Sequence, residues 1–204
     1  MKKAKFILSG FICLLLTQNL LSQKLWTEAD RKYLVANLIR TRDEIIRETQ
    51  NLSEQQWNFK ESPERWSINE VVEHLAIWEL LLDREVSQAL VAGLQPELAK
   101  NVKSDSLILA FLMEDKPHIT TDYTKPFTFT VPMGLNQGKN NLAWFLKMRN
   151  ESIEYLDSTT QDLRYYFLRA GRGNVHQVYI TIFGHTDRHL KQIKKIKVNV
   201  NYPK

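Results

Sequence analysis

Five histidines carry most of the chemical potential of this 204-residue chain: His74, His118, His176, His185 and His189. The last two sit four apart in Gly184-His185-Thr186-Asp187-Arg188-His189. On a helix that spacing places two side chains one above the other. Two imidazoles so stacked can share a metal ion, as helical zinc sites do. Phase adds to spacing. Val178 and Ile182 precede the pair and Ile196 follows it in steps of three and four, so both rings are expected to point inward. Buried imidazoles need partners, and two on one face invite a shared cation. A metal site open for chemistry takes a third protein ligand, and His74 is the candidate. It lies at the edge of the stripe Val71, Leu75 and Trp78, about a quarter turn from its centre, and an edge position still reaches a facing helix. The competing reading is three ordinary histidines with ordinary hydrogen bonds. His118 is expected in a loop, and His176 on the surface or on a different face.

The neighbours of these residues sort by helical phase. Asp187 is two residues from each histidine, about 200° round the helix, so it should face away and form an outward salt bridge. Gln192 follows His189 by three and His185 by seven and shares their face. It is placed to orient a ligand or a water, or else to bond a backbone carbonyl. Arg188 is expected in an ion pair with Glu73 or Glu70. Trp78 and Trp66 could line a pocket, although aromatic residues at helical spacing are usually core. No general acid or base can be named.

Four long amphipathic helices are expected to position these groups. The first spans Thr27 to Gln50, with Leu34, Leu38, Thr41, Ile45, Thr49 and Leu52 inward. A connector follows, with a short helix capped by Ser53 and Gln56. The second helix opens on the capping box Ser67-Ile68-Asn69-Glu70 and runs to about Ala92, with Gly93 beyond it. The third spans about Gly138 to Leu156, with Leu142, Phe145, Arg149, Ile153 and Leu156 in phase. The fourth runs from about Asn174 to Ile196. Between the second and third lies a long irregular excursion, able to overhang a site. Leu98 to Met113 could form a short helix in it, and Thr128 to Val131 alternates like a strand but is bracketed by prolines. A short helix is expected around Leu163 to Leu168. The fold class is therefore all-α, a four-helix bundle with one long crossing connection.

The N-terminus reads as a targeting segment. Lys2, Lys3 and Lys5 precede an apolar run from Phe6 to Leu16, and Ser22 ends a plausible cleavage site. Eleven residues rise only about 16 Å as a helix, against a hydrocarbon core of about 30 Å. Residues 1–22 are thus expected to be a secretory signal peptide, with an uncleaved N-terminal anchor as the other reading, and 23–204 a single bundle domain, exported and without stable membrane insertion after cleavage. Cleavage would remove Cys13, the one cysteine, which suits an oxidising compartment. It would also reduce the formal net charge from +5 to +2. Much of the remaining basicity gathers from Arg188 onward, where the helix macrodipole favours lysines, so a nucleic-acid partner is not expected.

Two stretches resemble a known family. Trp66-Ser67-Ile68-Asn69-Glu70-Val71-Val72-Glu73-His74-Leu75 resembles the second-helix signature of the DinB/YfiT-like superfamily, and Gly184-His185-Thr186-Asp187-Arg188-His189-Leu190-Lys191-Gln192-Ile193 its last-helix signature. The resemblance implies a four-helix bundle and a divalent metal ion, often nickel or zinc, on three histidines that map onto His74, His185 and His189. It implies a small-molecule substrate and a hydrolase or group-transfer reaction, and it makes a homodimer an expected assembly. The signal peptide departs from members that use cytoplasmic low-molecular-weight thiols. A non-catalytic metal-binding protein and a helical interaction module are the other readings of the same residues.

Overall fold

The computed structural model describes residues 25–114, 129–168 and 173–204. Six α-helices and one 3-10 segment form among them: α1 Glu28–Thr49, α2 Glu54–Asn58, α3 Ile68–Ala92, the 3-10 turn Pro96–Asn101, α4 Asp105–Met113, α5 Gly138–Ser158 and α6 Val175–Lys197. The expected signal peptide, His118 and Gly171 lie outside the described residues.

Local chemistry sets the helix starts. Thr27 and Asp30 close a reciprocal capping box on α1, as do Ser53 and Gln56 on α2, Ser67 and Glu70 on α3, and Asn174 and Gln177 on α6. Each box satisfies two otherwise orphaned backbone N–H groups. Gly93 ends α3 at φ 86°, a backbone conformation that costs a side-chain-bearing residue more than glycine.

The four long helices form a ring in which α1 and α3 each pack on both α5 and α6. Two apolar clusters fill it. One gathers Leu34, Leu38, Leu82, Ile153 and Ile182; the other gathers Ile45, Leu75, Phe145, Leu190 and Ile193. The chain meets these clusters in one order along α1 and α6 and in the reverse order along α3 and α5. Hence α3 and α5 run parallel as neighbours, and their connection must return the length of the bundle. α3 alone, at 25 residues, is about 37 Å long. That is the physical reason for the long excursion between them.

A polar layer separates the two clusters. Arg149 on α5, with no exposed surface, donates to Glu79 Oε1 on α3 (2.5 and 2.9 Å) and to Thr41 Oγ1 (2.6 Å) and Leu38 O (3.1 Å) on α1. It also reaches Thr186 Oγ1 (2.8 Å) on α6, between His185 and His189 in sequence. One guanidinium therefore ties together all four long helices. Burial pushes the Glu79 carboxyl up, and the charge of Arg149 opposes that shift. The short contacts are those of a charge-assisted pair.

Two expected elements differ. Leu163 to Leu168 is not a short helix: it forms turns and a single bridge between Phe167 and Asn174. The backbone there serves the start of α6 instead, with the His176 N–H donating to Leu163 O and the Val175 N–H to Tyr166 O. In the proline-bracketed stretch Phe129 and Thr130 form a turn and Val131 a bend, in keeping with an irregular excursion; Thr128 lies outside the described residues. The Leu98 to Met113 helix is divided, because Ser104 caps a new start by accepting from the Leu107 N–H. α4 then packs on α6 at Gly184, where a Cβ would come within 2.8 Å of Leu112 Cδ1.

Candidate metal centre

His74 is carried by α3, and His185 and His189 by α6, two helices that are packed neighbours in the ring. His185 Nε2 lies 3.2 Å from His74 Nε2 and 3.1 Å from His189 Nε2. The three donor atoms fall within 4.8 Å of one another. His74 and His189 are buried and His185 half-buried. The quarter-turn offset of His74 thus turns its ring toward α6 rather than out of the bundle.

The outer nitrogens fix the tautomers. His74 Nδ1 is 2.5 Å from the Thr130 carbonyl, which can only accept, so Nδ1 carries the proton. His189 Nδ1 is 2.9 Å from Gln192 Oε1, with the same consequence. Both Nε2 atoms are then bare lone pairs aimed at His185 Nε2. One proton on His185 cannot serve both in good geometry, so hydrogen bonding alone leaves lone pairs facing each other. Burial lowers the His74 pKa to about 4, with the Thr130 bond opposing the shift. Burial, with the His74 charge adding, lowers that of His189 to about 3. Both rings are therefore neutral at pH 7, the form a metal ligand needs. The spacing also suits a cation: a tetrahedral ion with bonds of 2.0–2.1 Å would separate its nitrogen ligands by about 3.3 Å. The donor set fits a divalent ion.

Two tryptophans wall the cluster. Trp66 lies 4.8 Å from the His74 ring and stacks on His189 at 6.3 Å, and Trp78 lies 5.1 Å from His185. Both are half-buried and pack against the two apolar clusters, Trp78 on the first and Trp66 on the second. A cavity of about 480 Å³ opens beside the cluster. The histidines do not line it themselves, but Trp66 and Gln192 belong to both its wall and the imidazole surroundings.

A family model described as the DinB superfamily matches residues 37–193. The chain belongs to the DinB superfamily. No curated protein and no solved structure gave a significant match. The DinB match spans the helices that carry all three histidines, so membership and the observed convergence concern the same part of the chain.

Other expected residues in this DinB bundle divide. Asp187 faces outward and takes a two-pronged bond from Arg40 at 2.7 and 2.8 Å, as its phase requires. Arg188 donates to the Glu114 carbonyl rather than pairing with Glu70 or Glu73. Glu70 is held by Lys60 and by its own helix cap, and Glu73 accepts the N–H groups of Met133 and Gly134 at 3.0 Å. His176 is not on the surface. It is buried, accepts at Nδ1 from the Trp26 indole (3.1 Å), and meets Asp105 at 3.2 Å, on α6 like His185 but about half a turn round the helix from it. The excursion does return over the site, where Thr130 O and the Met133 and Gly134 N–H groups hold His74 and its neighbour Glu73. The Thr130 contact is a backbone carbonyl, which no residue-type pattern marks. Arg149 did carry a signal, a charge in phase with an apolar stripe; Glu79 carries the same signal on α3, midway between Leu75 and Leu82.

Proposed function

We propose that this chain is an exported metal-dependent enzyme that performs hydrolysis or group transfer on a small molecule. In this reading His74, His185 and His189 hold a divalent ion, nickel or zinc. The observation that carries it is the convergence of three Nε2 atoms, two of which have their other nitrogen committed to an acceptor. Such an ion supplies a Lewis acid that polarises a substrate oxygen or sulfur. The chain supplies the rest. Thr130 O and Gln192 orient two rings and hold their protons on the outer nitrogens. Trp66 and Trp78 keep the cluster in an aromatic, water-poor surrounding. Arg149 braces α6 at Thr186, between the two ligands it presents. Export is supported by the three-part N-terminal sequence.

The test is elemental analysis of protein made without a poly-histidine tag. The expected result is a stoichiometric divalent ion, lost in His74→Ala and His189→Ala. A preparation that neither contains nor binds one would overturn the reading. A chelator should lower the melting temperature, because a ligand at a hundred times its Kd stabilises the fold by about 2.7 kcal/mol. Turnover on a panel of hydrolase substrates, absent in both variants, separates an enzyme from a metal-binding protein without activity.

A further inference from the structure

The lysines of α6 divide into two sets. Lys194 reaches Glu44 Oε2 at 3.3 Å and Lys197 reaches Glu48 Oε2 at 2.8 Å, so these two stitch α6 to α1. Lys191 and Lys195 form no ion pair among the described residues, and both stand on the wall of the cavity beside the histidine cluster. Arg65, from the segment before α3, stands on the same wall, again without an ion pair among the described residues. Arg188 completes a group of four cations against two acids, Glu61 and Glu114. Glu61 is engaged by the Asn199 amide at 3.3 Å. Helix capping accounts for a lysine-rich helix end, but not for which lysines are neutralised and which face a concavity.

Position along α6 gives the cavity a direction. Arg188, Lys191, Gln192 and Lys195 share one face at steps of three and four. Lys191 and Lys195 lie about 3 and 9 Å beyond His189 along the helix axis. Trp66 and Ile196 contribute apolar wall between the charges. A volume of about 480 Å³ is in the range of small-molecule sites.

We propose that this cavity is the substrate site and that it selects a small anion: a carboxylate or phosphate on an apolar or aromatic body less than about 10 Å long. The anionic group meets Lys191, Lys195 and Arg65, the body lies on Trp66, and the other end points to the cluster. The inference rests on the metal-enzyme reading for its reaction, but not for its binding. Lys191, Lys195 and Arg65 are the specificity-determining residues.

The test is calorimetric titration with three probes, 3-phenylpropanoate, phenyl phosphate and the neutral 3-phenylpropanamide. Each is titrated into metal-loaded protein, chelator-treated protein, and a Lys191→Gln/Lys195→Gln variant whose metal content is checked. Both anions, or one of them, should bind at least about tenfold more tightly than the amide in loaded and chelated protein alike. The preference should fade in 1 M salt, where the screening length falls to about 3 Å. The tighter anion identifies carboxylate or phosphate as the group read. The double variant should lose the preference while keeping its metal. An amide that binds as well as both anions would overturn the proposal, as would a double variant with unchanged anion affinity. Anion binding confined to loaded protein and indifferent to the lysines would also overturn it, since the ion alone would then be the receptor. Failure of the metal reading would show separately, as protein without a bindable ion.

Discussion

Replacing Arg149 by Met tests whether the four-helix tie works as the geometry suggests. Methionine keeps most of the buried volume, so the cavity contribution is small. What changes is electrostatic: Glu79, 4% exposed, keeps a carboxylate with no counter-charge. Thr41 and Thr186 lose a donor as well. Removing one partner of a buried pair costs about 3–5 kcal/mol. At about 2–4 °C per kcal/mol for a chain of this size, the melting temperature should fall by about 6–20 °C. The assay is calorimetric or circular-dichroism melting of wild type, Arg149→Met, and the double variant Glu79→Leu/Arg149→Met. The double variant should be more stable than the single one, because it removes the stranded charge. The deficit of the single variant should also shrink with acid. Burial without Arg149 raises the Glu79 pKa above its unfolded value, so stability is highest below that value and lost as pH rises through the folded one. A single variant within about 1 kcal/mol of wild type would refute the reasoning, being no more than a surface pair is worth. So would a double variant no better than the single one.

Two further outcomes bear on the site itself. Gln192→Leu removes the acceptor that holds the His189 proton on Nδ1, and metal affinity, read by competition with a chelator, should fall about 10–100-fold; an affinity within twofold of wild type, on the order of measurement scatter, would refute this role. Acid should destabilise the metal-free protein through its neutral histidines. Between the ordinary value of 6.5 and the folded values of about 4 and 3, the unfolded chain binds protons that the folded chain refuses. Stability should therefore fall with pH below about 6.5, by up to about 1.4 kcal/mol per unit for each ring. Urea midpoints at pH 7 and 5 measure it, and equal midpoints would contradict the assigned burial.

The helices and their caps were legible because their causes are local. Four reciprocal capping boxes each need only residues three apart, and the stripe Leu34, Leu38, Thr41, Ile45 needs only the helical period. The pair His185 and His189 is legible for the same reason. The 163–168 segment is not a helix because its carbonyls accept from distant N–H groups, those of Val175 and His176 at the start of α6 and that of Gln95. For His176 the sequence left the surface and a different face open, and the structure decides for a buried one because the contact that covers it comes from Trp26, 150 positions earlier.

By itself the sequence determined the four long helices, which of their faces are apolar, and that two histidines share one face, since these follow from short-range spacing. Helical phase marked His74 as the candidate third, and the family signatures pointed to the same residue. Only the tertiary structure decided how the set is completed. The parallel neighbours α3 and α5 force a long return, and that return brings the Thr130 carbonyl onto His74 Nδ1. The ring of helices turns Nε2 atoms 111 positions apart to within 3.2 Å. It also divides the lysines of α6, giving Lys194 and Lys197 to α1 and leaving Lys191 and Lys195 to the cavity. Each of these results depends on which helix lies beside which, and a linear pattern carries no such information.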